Sequence, residues 1–324
     1  MTDIPLRFGV TDCDRIRPLV SGAVPIEGVA PDYTVLPVQD LFNRMLATHE
    51  FDVAEFPLAT YVRELEGQRR YLAVPVFPSR HFRLSCIFVH EGSGIARPAD
   101  LAGKRVGIPI WDMAAAVWLR GILHEHFGLP ARAPLYVTGG LEFARKGDEH
   151  PQAYPPGYTI EHADESLATL LERGEIDALY TARAPSTYRP GGPVVRLFEN
   201  PRDSELAFYE KTKLFPQMHV LALRRSLAQA HPQLPGALYR AGVASIAAAR
   251  AKLIDQAALD VMLPWLAEHV RETEAALGEN FWASGLAANR DTLATFLRYM
   301  RAEGLVSSGL APEDLFEGAD ILAT

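Results

Sequence analysis

The sequence predicts an α/β fold, and three observations carry that prediction. Short runs rich in Val, Ile and Phe alternate with longer segments of helical period. Glycines fall where those helical segments stop, as at Gly67, Gly128 and Gly174. Polar and cationic residues gather just past the apolar runs, where open α/β sheets build ligand crevices.

Taken in order, LRFGV (6–10) reads as a strand leading into the turn TDCDRIRP, and YTVLPV (33–38) as another strand. In VQDLFNRMLATHE, Val38, Leu41, Phe42, Met45 and Leu46 keep the i, i+3, i+4, i+7 spacing of an amphipathic helix. FDVAEF (51–56) predicts a buried strand ending near Glu55. PLATYVRELEG then predicts a helix with Pro57 in its first turn and Gly67 at its stop. LAVPVF (72–77) and LSCIFVH (84–90) supply two more strands.

A second α/β series follows. ADLAGKRVGIPI gives a helical turn, a break at Gly103 and a strand at 105–109. DMAAAVWLRGILHEHFG is a long helix capped by Gly128, and PLYVTGG is a strand with a glycine turn. The Pro- and Gly-rich segment 146–163 predicts a surface loop. DESLATLLERGEIDALYTAR is a helix holding Leu167, Leu170 and Leu171, stopped by Gly174, then a strand. From about residue 203 the chain reads as helical, except for MHVLAL (218–223), a strand returning to a sheet. The alternation argues for parallel pairing.

A chain of 324 residues is long enough for two domains, and 48% hydrophobic against 22% charged residues is a globular balance. A net charge of −8 without any basic run argues against a nucleic-acid partner. No stretch of about 20 apolar residues predicts a membrane span, and the opening MTDIPLRFGVTDCDR has no leader-like apolar run. A cytoplasmic protein is expected. Cys13 and Cys86, the only cysteines, read as reduced thiols.

Metal and phosphate motifs are missing. His124 and His126 stand at i and i+2 on a helix and face different ways, so they cannot share an ion, and no metal or other cofactor is expected. No GxGxxG, GxxxxGK[ST] or GxSxG occurs. The remaining candidates sit at strand ends. They are Asp14 and Arg15 after the first strand, Glu55, then Arg80, His81, Arg83 and Ser85 in FPSRHFRLSCIFV. Thr138 follows LYV, Arg183 and Ser186 follow LYTA, and His219 opens MHVLAL. Each alone reads as readily as a cap or an internal ion pair, Arg83 with Glu55 for example. Together the arginines suit a carboxylate ligand, because a guanidinium fork binds that group in bidentate fashion.

The stretches DCDRIRPL, FDVAEFPLATYV, VPVFPSRHFRLSCIFV, PADLAGKRVGIP, GEIDALYTARAPS, FPQMH and LPWLAEHVRETEAALGENFW run nearly the whole chain. In them the sequence resembles the 4,5-dihydroxyphthalate decarboxylase family. The resemblance implies a two-lobed, type 2 periplasmic-binding-protein-like α/β fold with C-terminal helices. Residues 1–90 and 195–324 would form one lobe and 91–194 the other, with ligand held between them. It implies a carboxy-lyase that converts 4,5-dihydroxyphthalate to 3,4-dihydroxybenzoate and carbon dioxide without a cofactor. The substrate would be a small anionic aromatic, and a homo-oligomer is compatible with the chain. Leu84 stands after Arg83 where the resemblance implies a histidine, which leaves His219 and His81 as proton donors. Glu55 or Asp14 would meet the ring hydroxyl. Arg15, Arg80, Arg83, Ser85, Thr138, Arg183 and Ser186 would bind substrate. The rival reading is a solute-binding protein for an aromatic or other small anion, since fold alone does not separate the two.

Overall fold

A computed structural model describes residues 3–147, 154–318 and 321. In chain order the first elements are β1 (Ile4–Val10), α1 (Arg17–Val20), β2 (Val29–Val35), α2 (Val38–Thr48), β3 (Val53–Pro57), α3 (Leu58–Glu66) and β4 (Tyr71–Arg80). Next come β5 (Ile87–His90), β6 (Arg105–Ile108), α4 (Ala114–Phe127), β7 (Leu135–Thr138), β8 (Thr159–His162), α5 (Leu167–Glu172), β9 (Ala178–Tyr180), β10 (Val194–Arg196) and α6 (Pro201–Thr212). The chain closes with β11 (Gln217–Arg224), α7 (Arg225–Ala230), α8 (Leu234–Ile254), α9 (Leu266–Leu277) and α10 (Arg290–Ala302).

The contacts divide the chain into two compact units. The first comprises residues 1–80, 217–297 and 308–324, and the second residues 81–216 and 298–307. In the first unit the sheet order is β2-β1-β3-β11-β4. Strands β1, β2 and β3 are parallel, and β11 runs antiparallel between β3 and β4. The start of β11 therefore lies at the C-terminal edge of β3 and β4. Leu58, Tyr61, Val62 and Leu65 of α3 are buried. The Tyr61 hydroxyl accepts a bond from Ala73 N and donates to Leu315 O, which stitches the C-terminal segment to this sheet.

In the second unit the order is β10-β5-β9-β6-β7-β8. Strands β9, β6, β7 and β8 are parallel, and β5 is antiparallel to β9 and β10. Phe88, Val137, Leu167, Leu171, Ile176 and Leu179 make one core of it. Gly121 in the middle of α4 has a packing reason: a Cβ there would sit 2.2 Å from the Tyr299 ring. Arg120, one residue earlier, donates through Nε to Glu303 at 2.9 Å and lies 3.9 Å over the Trp111 ring. Both partners are almost wholly buried.

Four readings from the sequence need correction. The second strand is Val29–Val35, not 33–38, because Pro37 has no N–H for a ladder and instead caps α2. Leu84–Cys86 forms a 3-10 turn and only Ile87–His90 is strand. Within the supposed loop 146–163, Thr159–His162 pairs with β7 as an edge strand, while residues 148–153 lie outside the described residues. Both sheets are mixed rather than parallel, because β5 and β11 each enter in the opposite sense. Both cysteines are free thiols.

Candidate functional site

The C-terminal edge of the first sheet gathers a buried acid, a hydroxyl and an imidazole. Glu55 pairs in register with Leu221 across β3 and β11, so His219, two residues away, projects from the same face as a diagonal neighbour. Glu55 Oε1 accepts from His219 Nδ1 at 2.6 Å. Its Oε2 accepts the hydroxyl of Thr11, the first residue past β1. Both carboxylate oxygens are thereby occupied, and Glu55 is only 2% exposed. Burial alone would raise its pKa. The hydrogen bond and charge of His219, the Thr11 hydroxyl and the charge of Arg15 outweigh that and hold it below its ordinary value.

Because Nδ1 is committed to an ionised carboxylate, Nε2 is the imidazole atom left to exchange protons. Phe42 of α2 meets the ring edge-on at 4.9 Å and fixes its plane. Thr11 also lines an open hollow of about 470 Å³ with Asp12 and residues 35–38, at the start of α2. Asp14 and Arg15 stand nearby as an ion pair of 2.6 Å. Arg15 Nε donates to Pro78 O, and its guanidinium lies 4.6 Å over the Trp282 ring. Cys13 is half-buried, and burial pushes its thiol up to about 11, so it is no ready nucleophile.

Arg80 ends β4 and is 7% exposed. Its Nη2 donates to Ala283 O and Asn289 Oδ1, and Gln217 Nε2 donates to the same Asn289 oxygen at 2.9 Å. Its bonds thus tie β4 to the segment before α10.

The remaining candidates belong to the second unit. Arg83 is buried in the turn before β5, with Nη1 3.7 Å from Cys86 Sγ. The expected alternative of an Arg83–Glu55 pair does not form: Glu55 takes His219 and Thr11 instead. Ser85 N donates to Glu205 at 2.8 Å. His81 is exposed, and crowding by protein atoms followed by the charge of Arg83 lowers its pKa. Thr138 at the end of β7 is fully buried, with its hydroxyl 3.2 Å from Glu161 O, His162 Nδ1 and the Tyr154 hydroxyl. Ser186 donates both N–H and hydroxyl to Glu142. Arg183 is exposed past β9, and among the described residues its guanidinium has no hydrogen bond or ion pair.

The structure thus unites Glu55 with His219, with Arg15 near enough for its charge to act on Glu55 and Asp14 paired to Arg15. It spends Thr138 and Ser186 on local bonds. Thr11 and Phe42 escaped the sequence reading; the only available signal was the position of Thr11 one residue past the LRFGV strand. Among the described residues no three His, Cys, Asp or Glu side chains are arranged to hold a metal ion.

Comparison with known proteins adds three findings. The chain is 39% identical over 325 residues to a 4,5-dihydroxyphthalate decarboxylase of Comamonas testosteroni, covering 99% of this chain and 98% of that one. It is 37% identical over 213 residues to a 4,5-dihydroxyphthalate decarboxylase of Pseudomonas putida, covering 64% of this chain and 83% of the relative. Its backbone is similar to the periplasmic aliphatic sulphonate binding protein SsuA of Escherichia coli, with a TM-score of 0.54 at 14% identity over 98% of this chain and 93% of the other. That likeness shows a periplasmic-binding-protein fold. No family model matches the chain.

Proposed function

The chain belongs to the 4,5-dihydroxyphthalate decarboxylase family, and from that premise we propose that it converts 4,5-dihydroxyphthalate to 3,4-dihydroxybenzoate and carbon dioxide. End-to-end identity with the Comamonas testosteroni enzyme is the observation that carries this reading. The buried Glu55–His219 couple supports the chemistry, because the reaction needs a positioned proton donor.

Each carboxylate of the substrate lies para to a ring hydroxyl. Loss of that hydroxyl's proton pushes an electron pair onto the carboxylate-bearing carbon, which then takes a proton from His219 Nε2. The ring is briefly non-aromatic. Breaking the bond to the carboxylate returns its electron pair to the ring, restores aromaticity and releases carbon dioxide. The proton lost from the hydroxyl balances the one delivered to carbon.

In this reading Glu55 positions His219 through its Nδ1, and Thr11 holds Glu55. Glu55 is not the hydroxyl's base, since both its oxygens are already engaged. Asp14 takes that role. Arg183 and Arg83 serve as carboxylate contacts, with Arg183 the cation whose fork is uncommitted among the described residues.

The test is direct. Purified protein mixed with 4,5-dihydroxyphthalate should shift the ultraviolet spectrum to that of 3,4-dihydroxybenzoate with stoichiometric carbon dioxide. Calorimetric binding without turnover would instead make the chain a receptor, and neither would require a different hydroxylated aromatic acid.

A further inference from the structure

Between α8 and the segment that follows α9 lies a hollow of about 380 Å³, bordered by Asp14 and Arg15. That volume is within the range of small-molecule sites and exceeds the about 150 Å³ that already accepts a benzene ring. Tyr239, Val243, Phe281 and Trp282 give it apolar and aromatic walls. The Trp282 indole N–H donates to Phe77 O at 2.9 Å, which holds that ring in place. Every lining residue belongs to the first unit.

The polar groups decide what the hollow can hold. Two cations line it, and each already has its counter-charge: Arg15 pairs with Asp14 at 2.6 Å and Arg250 with Glu274 at 2.6 Å. Glu279 lines it too, exposed and, among the described residues, without a hydrogen bond or ion pair. The balance beside the hollow is therefore negative, and an entering carboxylate is repelled.

Hydrogen-bonding capacity points the same way. Asp14 Oδ1 accepts from Arg15 N at 2.8 Å and from its Nη1, while Oδ2 has no hydrogen bond among the described residues. The Ser284 hydroxyl oxygen is buried without a partner, which is unfavourable until something bonds it. Uncommitted acceptors around an aromatic slot suit a neutral ring edge that carries O–H donors. 4,5-Dihydroxyphthalate has two unlike edges, one with two carboxylates and one with two hydroxyls. The second is the one that matches.

We propose, resting on the decarboxylase reading above, that this hollow seats the hydroxyl edge of the substrate ring. The hydroxyl that loses its proton donates to Asp14 Oδ2, its neighbour donates to Glu279, and the Ser284 hydroxyl donates to one of the two oxygens. The carboxylate edge points out of the hollow. Glu279 and Ser284 thereby select a dihydroxylated ring over bare phthalate, since a site built to bond a hydroxyl rejects the analogue that lacks it.

Catechol carries the hydroxyl edge alone and phthalate the carboxylate edge alone, so the two separate the halves of the site. In calorimetry catechol should bind at millimolar concentration and compete with 4,5-dihydroxyphthalate. Glu279→Ala and Ser284→Ala should each weaken catechol by up to about tenfold and raise KM in parallel. Ala247→Trp, which fills the hollow, should abolish catechol binding. Phthalate affinity should be unchanged in all three. Ser284→Ala should unfold no earlier than wild type, because it removes an unpaired buried hydroxyl, so its higher KM is not a folding defect. Catechol affinity that survives Ala247→Trp, Glu279→Ala and Ser284→Ala proteins indistinguishable from wild type, or phthalate weakened along with catechol each overturns the proposal. Catechol bound in the hollow of a protein that turns over no 4,5-dihydroxyphthalate supports the subsite and sinks the decarboxylase reading. Turnover with catechol binding untouched by the three substitutions does the reverse.

Discussion

Glu55 and His219 are separated by 164 residues yet meet at 2.6 Å, carboxylate to imidazole, on adjacent antiparallel strands. The acid is buried and ionised, and the imidazole is partly open. In the proposed mechanism His219 delivers the proton and Glu55 aims it. His219→Asn should therefore lower kcat for 4,5-dihydroxyphthalate by about 10²–10⁴ while leaving calorimetric affinity within a few-fold. Glu55→Gln should lower kcat less, and Thr11→Val less still. Wild-type kcat in His219→Asn would remove it from the chemistry.

The same couple sets an acid-side stability limit. Burial by itself would raise the pKa of Glu55, but His219, Thr11 and Arg15 bring it below the ordinary 4.5. A carboxyl whose folded pKa is depressed contributes stability that is complete above its unfolded value and disappears as pH falls through the folded one. Wild-type stability should accordingly fall as the pH drops below the ordinary carboxylate value, and Glu55→Gln should show a shallower fall on that acid side. Urea denaturation at stepped pH measures it. Parallel curves for the two proteins would mean that Glu55 is not the titrating group.

Arg183 is expected to act through substrate binding alone. It is exposed, and among the described residues its fork is uncommitted. Arg183→Ala should raise KM several-fold and change kcat little. Arg183→Lys should recover only part of the loss, because an ammonium keeps the charge but not the two-point geometry. Steady-state kinetics with the dicarboxylate separates these outcomes, and an unaltered KM in Arg183→Ala excludes the contact.

The helices were readable because periodicity and stop signals are local. The 3.6-residue pattern of Val38 to Leu46, Pro57 ahead of α3 and Gly128 after α4 all sit where the sequence places them. Strand direction was not readable, since a buried central strand such as β11 is apolar whichever way its neighbours run. Strand β8 was hidden behind Pro155, Pro156 and Gly157, and its four residues are mostly exposed. In the site, residue types at strand ends pointed to Glu55 and His219 separately. Their pairing depends on register across the sheet, which no local pattern encodes. Arg80 shows the converse: its partner Asn289 lies 209 residues on, so a cation that looks available in sequence is tied down in the fold.

The Arg120–Glu303 pair offers a stability test independent of catalysis. Arg120 Nε donates to Glu303 at 2.9 Å and its Nη2 to Trp111 O at 3.0 Å, with the guanidinium stacked on the Trp111 ring. Burial works against the charge of Arg120, but the Glu303 carboxylate beside it prevails and keeps the guanidinium charged. Glu303→Gln leaves that cation in the core without its counter-charge and should cost about 3–5 kcal/mol, read as a lower denaturation midpoint. The double variant Arg120→Leu with Glu303→Leu removes both charges and should recover most of the loss, because well-packed apolar residues can replace a buried pair at little cost. A single variant within about 1 kcal/mol of wild type would mean that the pair is solvated and does not anchor residues 298–307 to the second unit.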